Sequence, residues 1–208
     1  MIKKDFMKEI ENSLKIVKRE VDKNIINGDI SKAKEAINNQ LKGLVGLDIM
    51  TIDTLSFSSI IDIISREDEF NGEKYIALGE LLCLQGFVCQ STGDEEGEIR
   101  YYLKSIDALN EAFNEDSDIE KRYFQDGIHI SDLLSTYDLT INENKKIFKF
   151  YEIVGKYDKA EDILFYMIKK SNKDKNIIEV GISYYERLKN LRSEEHTSEL
   201  QSPLPISY

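Results

Sequence analysis

The sequence contains no tryptophan, and it has only two prolines, two cysteines and two histidines among its 208 residues. Both prolines stand near the end, at positions 203 and 205, so no proline precedes residue 203. Because proline marks turns and the edges of β-sheets, its absence over such a length is atypical of a loop-rich or all-β protein. Continuous helices joined by short turns fit this composition better.

Cys83 and Cys89 are the only cysteines, and six positions along a helix turn a side chain by about 600°, onto a different face. A disulfide or a shared metal ion is therefore not expected, and both cysteines are interpreted as small structural side chains. The sequence has no N-terminal apolar signal segment and no apolar run of about 20 residues. These features predict a cytoplasmic protein that does not cross a membrane.

Positive charge is also scarce, since 28 basic side chains stand against 39 acidic ones and the formal net charge is −11. Nucleic-acid binding requires a basic face that neutralises phosphates, so no nucleic-acid partner is expected. The first helix mixes basic and acidic side chains, which makes adsorption to a membrane surface a poor alternative.

Apolar residues recur at steps of three and four over most of the chain, which predicts an all-α protein of about nine helices. The first helix is expected to end near Gly28, and Asp29 is expected to cap the second. Ser117 and Thr140 have the spacing of capping boxes that open two further helices. The other predicted helices cover residues 55–64, 75–90, 99–113, 142–154, 157–170 and 177–191. Of these, the strongly apolar helix 75–90 is expected at the centre of the core.

Three predicted turns share a pattern in which a glycine is followed, five positions later, by a closing residue that is small in two of the three. They are Gly28–Ala33, Gly93–Glu98 and Gly155–Ala160, and their glycines lie 65 and 62 residues apart. These spacings are close to twice the period of about 34 residues found in tetratricopeptide repeats.

The best copy of this pattern, at Tyr151, Gly155, Tyr157, Ala160 and Leu164, resembles the tetratricopeptide helix-turn-helix. Here the small Ala160 would let two helices approach while Tyr151 and Leu164 fill the space between them. Gly181 with Tyr184 resembles the start of another copy, whereas Glu98 departs from the small residue expected. The resemblance implies one domain over residues 1–191, in which helical hairpins stack as a short right-handed α-solenoid. Its tetratricopeptide-like part is 71–191, and the resemblance is weaker over 1–70.

As a whole, the chain is similar to an uncharacterised family of bacterial proteins from Firmicutes that carry a domain of unknown function. The similarity covers most of residues 1–191. It includes the opening Met1–Met7, Gly46–Asp48, Gly93–Asp94 and Tyr184–Leu188. This resemblance implies no activity.

The last 17 residues are unlike the rest, because Arg192–Ser202 reads RSEEHTSELQS, which resembles the translation of a sequencing adapter. Ile206–Tyr208 resembles the continuation of the same adapter after a spacer. We therefore interpret residues 192–208 as an artefactual tail without structure or function, which truncates the native C-terminus at Leu191. A natural flexible tail is the alternative.

Catalytic chemistry has few candidates. No hydrolase, metalloprotease or phosphate-binding motif is present, so we expect no enzyme, no metal and no cofactor. His129 lies between Ile128 and Ile130 and is interpreted as a structural histidine rather than a catalytic one. An enzyme that uses Cys83 or Cys89 with His129 remains a remote alternative.

A binding surface is the remaining function. By resemblance to tetratricopeptide units, a partner-binding groove would use Phe87, Gln90, Lys145, Lys149 and Tyr185. Lys145 and Lys149 lie one helical step apart and could meet a partner's carboxylate or phosphate, with solvated helix surface as the alternative. The expected function is a non-catalytic module for a protein or peptide of unknown identity. The rival is a structural protein that self-associates as a homo-oligomer.

Overall fold

The computed structural model describes residues 2–66, 71–115 and 119–200, and the side chains of 6–66, 72–115, 119–120 and 123–191. The described residues form ten α-helices and one 3-10 turn, with no β-strand among them. The elements are α1 (Ile2–Ile26), α2 (Ile30–Leu44), α3 (Ile49–Thr54), α4 (Phe57–Ile64), α5 (Asn71–Ser91), α6 (Glu95–Glu115), the 3-10 turn (Lys121–Phe124), α7 (Gln125–Leu134), α8 (Ile141–Ile153), α9 (Tyr157–Lys170) and α10 (Lys175–Leu200).

The all-α prediction is confirmed, and the helix that it missed is α3. This helix has only six residues and one buried side chain, Ile52, so it carries no apolar period. Its start is nevertheless well defined, because the Asp48 side chain accepts a hydrogen bond from the Thr51 amide at 2.9 Å.

The three predicted turns have the same backbone geometry. Gly28, Gly93 and Gly155 have φ angles of +76°, +72° and +74°, a conformation that favours glycine. The amide after each glycine donates to the carbonyl five residues before it, at 2.8, 3.0 and 2.8 Å. This is the Schellman ending of a helix, and the next helix begins two residues after each glycine.

The closing position of each turn is buried in all three copies. Ala33 and Ala160 have no exposed surface, and Glu98 is only 5% exposed. The Glu98 carboxylate accepts hydrogen bonds from Gln90 Nε2 at 2.9 Å and from the Tyr137 hydroxyl at 3.3 Å. The departure from a small residue is therefore accommodated by polar contacts.

The predicted helix starts are confirmed in part. Thr140 and Glu143 form a complete capping box, with reciprocal bonds of 3.3 and 2.7 Å. The Asp29 prediction is wrong in one respect, because its side chain makes no capping bond and instead accepts from Lys32 Nζ at 2.8 Å. Ser117 lies outside the described residues.

The described chain divides into two compact units, 1–160 and 161–208, with the boundary inside α9. In the first unit α5 packs against α1, α2, α6 and α7, and α6 also packs against α8. The prediction that this apolar helix is central is therefore confirmed. Its side chains with 1% exposure or less are Tyr75, Ile76, Ala77, Leu78, Leu81, Leu82 and Val88.

Tyr151 and Ala160, which the repeat pattern singled out, are both buried at the end of the first unit. The Tyr151 hydroxyl donates to Asp132 Oδ1 at 2.7 Å, and Lys159 Nζ donates to the same oxygen at 2.6 Å. The Lys159 ammonium also lies 5.7 Å from the centre of the Tyr151 ring. Tyr151 therefore combines a buried ring with a satisfied polar end.

The second unit contains the rest of α9 together with α10. In this unit Leu164 and Tyr184 are buried, and the Gly181 backbone lies against the Leu164 side chain. Helix α10 runs to Leu200, so the expectation of no structure is wrong for residues 192–200. The physical reason is that Glu and Leu favour helix and no proline interrupts the chain before residue 203. Residues 201–208 lie outside the described part.

Helices α5 and α6 approach each other closely at glycines of α5. The Ser105 hydroxyl donates to the Gly79 carbonyl at 2.7 Å in a buried position. At Gly86, an added Cβ would lie 2.5 Å from the Tyr102 ring, which is closer than real Cβ contacts allow. This contact depends on the absence of a side chain.

We expect Gly86→Ala to lower the free energy of unfolding by about 1–2 kcal/mol, because the overlap with Tyr102 outweighs the gain in helix propensity. The matched control is Gly43→Ala in α2, where an added Cβ meets nothing within 4 Å. The control should raise the stability by about 0.5–1 kcal/mol. Urea unfolding followed by circular dichroism measures both, and equal effects of the two substitutions would contradict the close approach.

Candidate functional site

A pocket of about 200 Å³ opens in the first unit, among α1, α5, α6 and α7. Its lining combines aliphatic and aromatic side chains with several charged ones. The lining residues are Lys18, Asp22, Cys83, Leu84, Phe87, Gln90, Tyr102, Asp126, His129 and Ile130. This mixture of an apolar wall and a few polar groups is typical of binding sites in proteins.

Helical spacing explains why these side chains share one pocket. Residues three or four apart on a helix lie on the same face, and the lining follows this spacing on three of the four helices. Lys18 and Asp22 are four apart on α1, as are Cys83 and Phe87 on α5. On α7, Asp126 is followed three residues later by His129.

Two of the predicted groove residues line the pocket. Phe87 is 39% exposed although it lies on the central helix, so its ring is available at the pocket. Gln90 lies three residues further along, and its Nε2 atom is held by Glu98. The structure thus brings Phe87 and Gln90 together on the same face of α5.

The other three predicted residues do not line this pocket. Lys145 and Lys149 lie on α8, and Lys149 Nζ donates to Asn114 Oδ1 at 3.2 Å. Tyr185 belongs to the second unit, where its hydroxyl donates to Glu161. The groove predicted from five residues therefore reduces to its α5 part at this site.

A charged network across three helices forms one side of the pocket. Lys18 Nζ on α1 lies 2.7 Å from Asp126 Oδ2 on α7. Asp126 in turn shares a hydrogen bond with the carboxyl group of Glu80 on α5. Since two carboxyl groups can share such a bond only when one holds a proton, this network contains one proton between two acids.

The environment assigns that proton to Glu80. Burial, and then the negative charge of Asp126, raise the pKa of Glu80 to about 8. Burial by itself would raise the pKa of Asp126 as well. The hydrogen bond from Lys18 and the positive charge of Lys18 nevertheless hold the pKa of Asp126 below its usual range. At neutral pH, Glu80 therefore donates its proton to an ionised Asp126.

Sequence reasoning missed Glu80 and Asp126, although a signal existed for one of them. Glu80 is the only charged residue in the apolar stretch 75–90, and a charge in a central helix requires a partner. Nothing in the sequence connects it to Asp126, which lies 46 positions away and reaches it only because α5 and α7 pack together.

His129 and Cys83 both lie at the pocket. His129 is exposed on the pocket side of α7, whereas its apolar neighbours suggested burial. Ile130 lines the same pocket although it is only 1% exposed, so apolar neighbours in the sequence do not bury the His129 side chain. Cys83 also lines the pocket, so the structure brings together a cysteine and a histidine that were not expected to meet.

The chemistry of the two thiols opposes nucleophilic catalysis. Burial, together with the charges of Glu80 and Asp126, raises the pKa of Cys83 far above its usual range. Burial and the charge of Asp94 raise the pKa of Cys89 to about 11. The thiolate is the reactive form of cysteine, so both residues stay protonated and weakly nucleophilic at neutral pH.

The described part of the chain lacks two kinds of feature. It contains no group of three or more histidine, cysteine or acidic side chains arranged to hold a metal ion. None of its helices combines the length and the apolar character that a membrane span requires.

We expect Glu80→Gln to stabilise the protein increasingly as the pH rises from about 4.5 to about 8. The folded protein keeps the Glu80 proton up to about pH 8, whereas the unfolded chain loses it near the ordinary pKa of 4.5. The unfolded state therefore binds fewer protons in this window, and the free energy of unfolding falls as the pH rises. Glutamine keeps a donor for Asp126 without this cost, so the difference should reach about 2 kcal/mol above pH 8.

Urea unfolding at several pH values between 5 and 9 measures the effect. Glu35→Gln, at an exposed position of α2, is the matched control and should show no such pH dependence. A constant difference between Glu80→Gln and the parent protein at all pH values would contradict a proton held by Glu80.

Comparison with known proteins identifies a family but no function. No curated protein matches the chain, and no solved structure matches it. A family model described as a family of unknown function, DUF6483, matches residues 1–199. This match includes eight residues of the segment 192–208 that the sequence sets apart. Since it covers nearly the whole chain, the protein belongs to the DUF6483 family.

Proposed function

We propose that the protein is a non-catalytic binding module that holds a segment of a partner protein in the pocket of its first unit. The observation that carries this proposal is the pocket itself, about 200 Å³ in volume, with Phe87 exposed on its wall. An apolar cavity of about 150 Å³ is enough to bind benzene, so this one has room for one large side chain. A single buried anchor of that size commonly dominates the affinity of an interface.

The state of the polar groups supports binding rather than catalysis. Lys18, Asp126 and Glu80 are engaged with one another, and the Cys83 thiol is protonated at neutral pH. An enzyme needs a nucleophile or a base whose pKa lies near the working pH and which reaches the substrate. Cys83 lacks the first property, and Glu80 is not part of the lining.

The repeated turns support the same proposal. Three helix pairs joined by the same Schellman geometry are consistent with a tetratricopeptide-like, right-handed stack of hairpins. Such stacks leave an extended face on which partner segments bind. We include this arrangement and a cytoplasmic location, where both cysteines remain reduced, in the proposal.

A second candidate function is self-association, and the second unit favours it. There α10 exposes Ile178, Ile182 and Tyr185 at steps of four and three, which places them on one face. Ile182 is 54% exposed and Phe165 on α9 is 56% exposed. Contiguous exposed apolar side chains often mark contact sites between proteins.

Peptides selected from a random phage-displayed library should bind the pocket, and Phe87→Ala should weaken that binding about tenfold or more. The loss is expected because the substitution removes an aromatic wall without disturbing a buried position. Fluorescence polarisation with the selected peptides measures the affinity. Phe165→Ala, which removes an exposed ring from the second unit, is the matched control and should leave it unchanged.

Failure of the selection, or equal effects of Phe87→Ala and Phe165→Ala, would reject the binding-module proposal. Sedimentation velocity over a range of protein concentrations tests the second candidate. Self-association through α10 requires a concentration-dependent increase in mass that Ile182→Glu abolishes. A monomer at every concentration would reject it.

A further inference from the structure

The charges around the pocket select among the side chains that would fit it, and the following inference rests on the binding-module proposal. We propose that the occupant is an arginine side chain of the partner, with its guanidinium group against Asp126 and its stem along the Phe87 ring. The partner is therefore a protein segment that presents an arginine. This assigns a ligand class to a pocket whose described lining contains two acids and one lysine.

Charge complementarity is the first argument. Among the residues whose side chains the structure describes, Asp22 and Asp126 line the pocket and Lys18 is the only lysine or arginine there. The chain as a whole carries a formal charge of −11, so a cationic segment is attracted before contact. An anionic segment would instead meet two carboxylates at the pocket.

The remaining capacity of Asp126 is the second argument. Its side chain is 37% exposed although Lys18 pairs with it, and the side chain of Lys18 is itself 52% exposed. An ionised carboxylate offers about four acceptor positions, and the bonds from Lys18 and Glu80 occupy two of them. Asp126 can therefore accept further hydrogen bonds, and a guanidinium group donates two in parallel.

The shape and chemistry of the walls are the third argument. The rings of Phe87 and Tyr102 and the aliphatic groups of Leu84 and Ile130 line the same pocket as Asp126. The planar guanidinium group stacks on aromatic faces and is weakly hydrated, whereas a lysine ammonium is compact and strongly hydrated. An aromatic wall beside a carboxylate therefore favours arginine over lysine.

Arginine binding should also depend on pH, because Glu80 and Asp126 share one proton. A cation that arrives at Asp126 favours the ionised form of Glu80, and the displaced proton passes to solvent. Binding should therefore strengthen as the pH rises through the range in which Glu80 loses its proton. The other titratable groups that face this pair are Lys18 and Asp22 from α1, Cys83 from α5, Tyr102 from α6 and His129 from α7.

The test compares three acetylated and amidated alanine pentapeptides that carry arginine, citrulline or norleucine at the centre. Citrulline has nearly the shape of arginine without its charge, and norleucine retains only an apolar stem. NMR titration of the full chain, observed at the methyl groups of Leu84 and Ile130, reports occupancy of the pocket. The arginine peptide should bind about fivefold or more tightly than the citrulline peptide at pH 7, and the ratio should increase at pH 9.

Two variants assign the preference to the pocket. Asp126→Asn should abolish the advantage of arginine over citrulline. If that variant does not fold because Lys18 loses its partner, Phe87→Leu decides, since it keeps an apolar wall at an exposed position and removes only the ring. Phe87→Leu should weaken arginine binding about threefold or more while norleucine binding changes little. Phe165→Leu is its matched control and should have no effect.

Equal affinities for the arginine and citrulline peptides, or methyl groups at Leu84 and Ile130 that do not respond to arginine, would overturn the inference. Failure of the arginine inference can be distinguished from failure of the binding-module proposal. Library peptides that bind the pocket without any arginine would reject the inference alone. Arginine binding without any selected peptide would reject the proposed module and retain the arginine site.

Discussion

Helix α5 is surrounded by α1, α2, α6 and α7, and the rest of the first unit depends on this burial. An enclosed helix has to be apolar on nearly every side, and it needs glycines where a neighbour approaches most closely. Gly79 and Gly86 meet α6 in this way. The same enclosure raises the cost of the one charge that the apolar stretch carries, and Glu80 is consequently tied to Asp126 and Lys18 on two other helices. Packing and the electrostatics of the pocket thus have a common origin.

The local parts of the fold could be predicted from the sequence because their causes are local. Apolar periodicity identifies the long helices, and the Thr140–Glu143 spacing identifies a capping box. Gly28, Gly93 and Gly155 mark turns that require a positive φ angle. The short helix α3 was missed because a single buried isoleucine is too weak a signal. The helix over residues 192–200 could not be predicted from the resemblance to an adapter, because that resemblance says nothing about helix propensity.

The candidate site was predictable only in part, because it consists of residues that are distant in the sequence. Phe87 and Gln90 were found through the repeat pattern on their own helix. Asp126 and His129 reach the same pocket through the packing of α7, which no local pattern reveals. His129 is an example of what local patterns fail to predict. Apolar neighbours on both sides suggested that it is buried, but its side chain is exposed. Long-range geometry, rather than residue type, decides which polar side chains meet.

The three Schellman turns also bear on how such a chain tolerates changes of length. Each turn ends one helix and starts the next with the same few backbone bonds, all made within ten consecutive residues. A turn of this kind does not depend on distant contacts, so a whole helical hairpin could be gained or lost between two glycines without remodelling the junctions. Proteins built in this way can gain or lose whole helical hairpins. Members of one such family would then differ in the number of hairpins before they differ in the geometry of the turns.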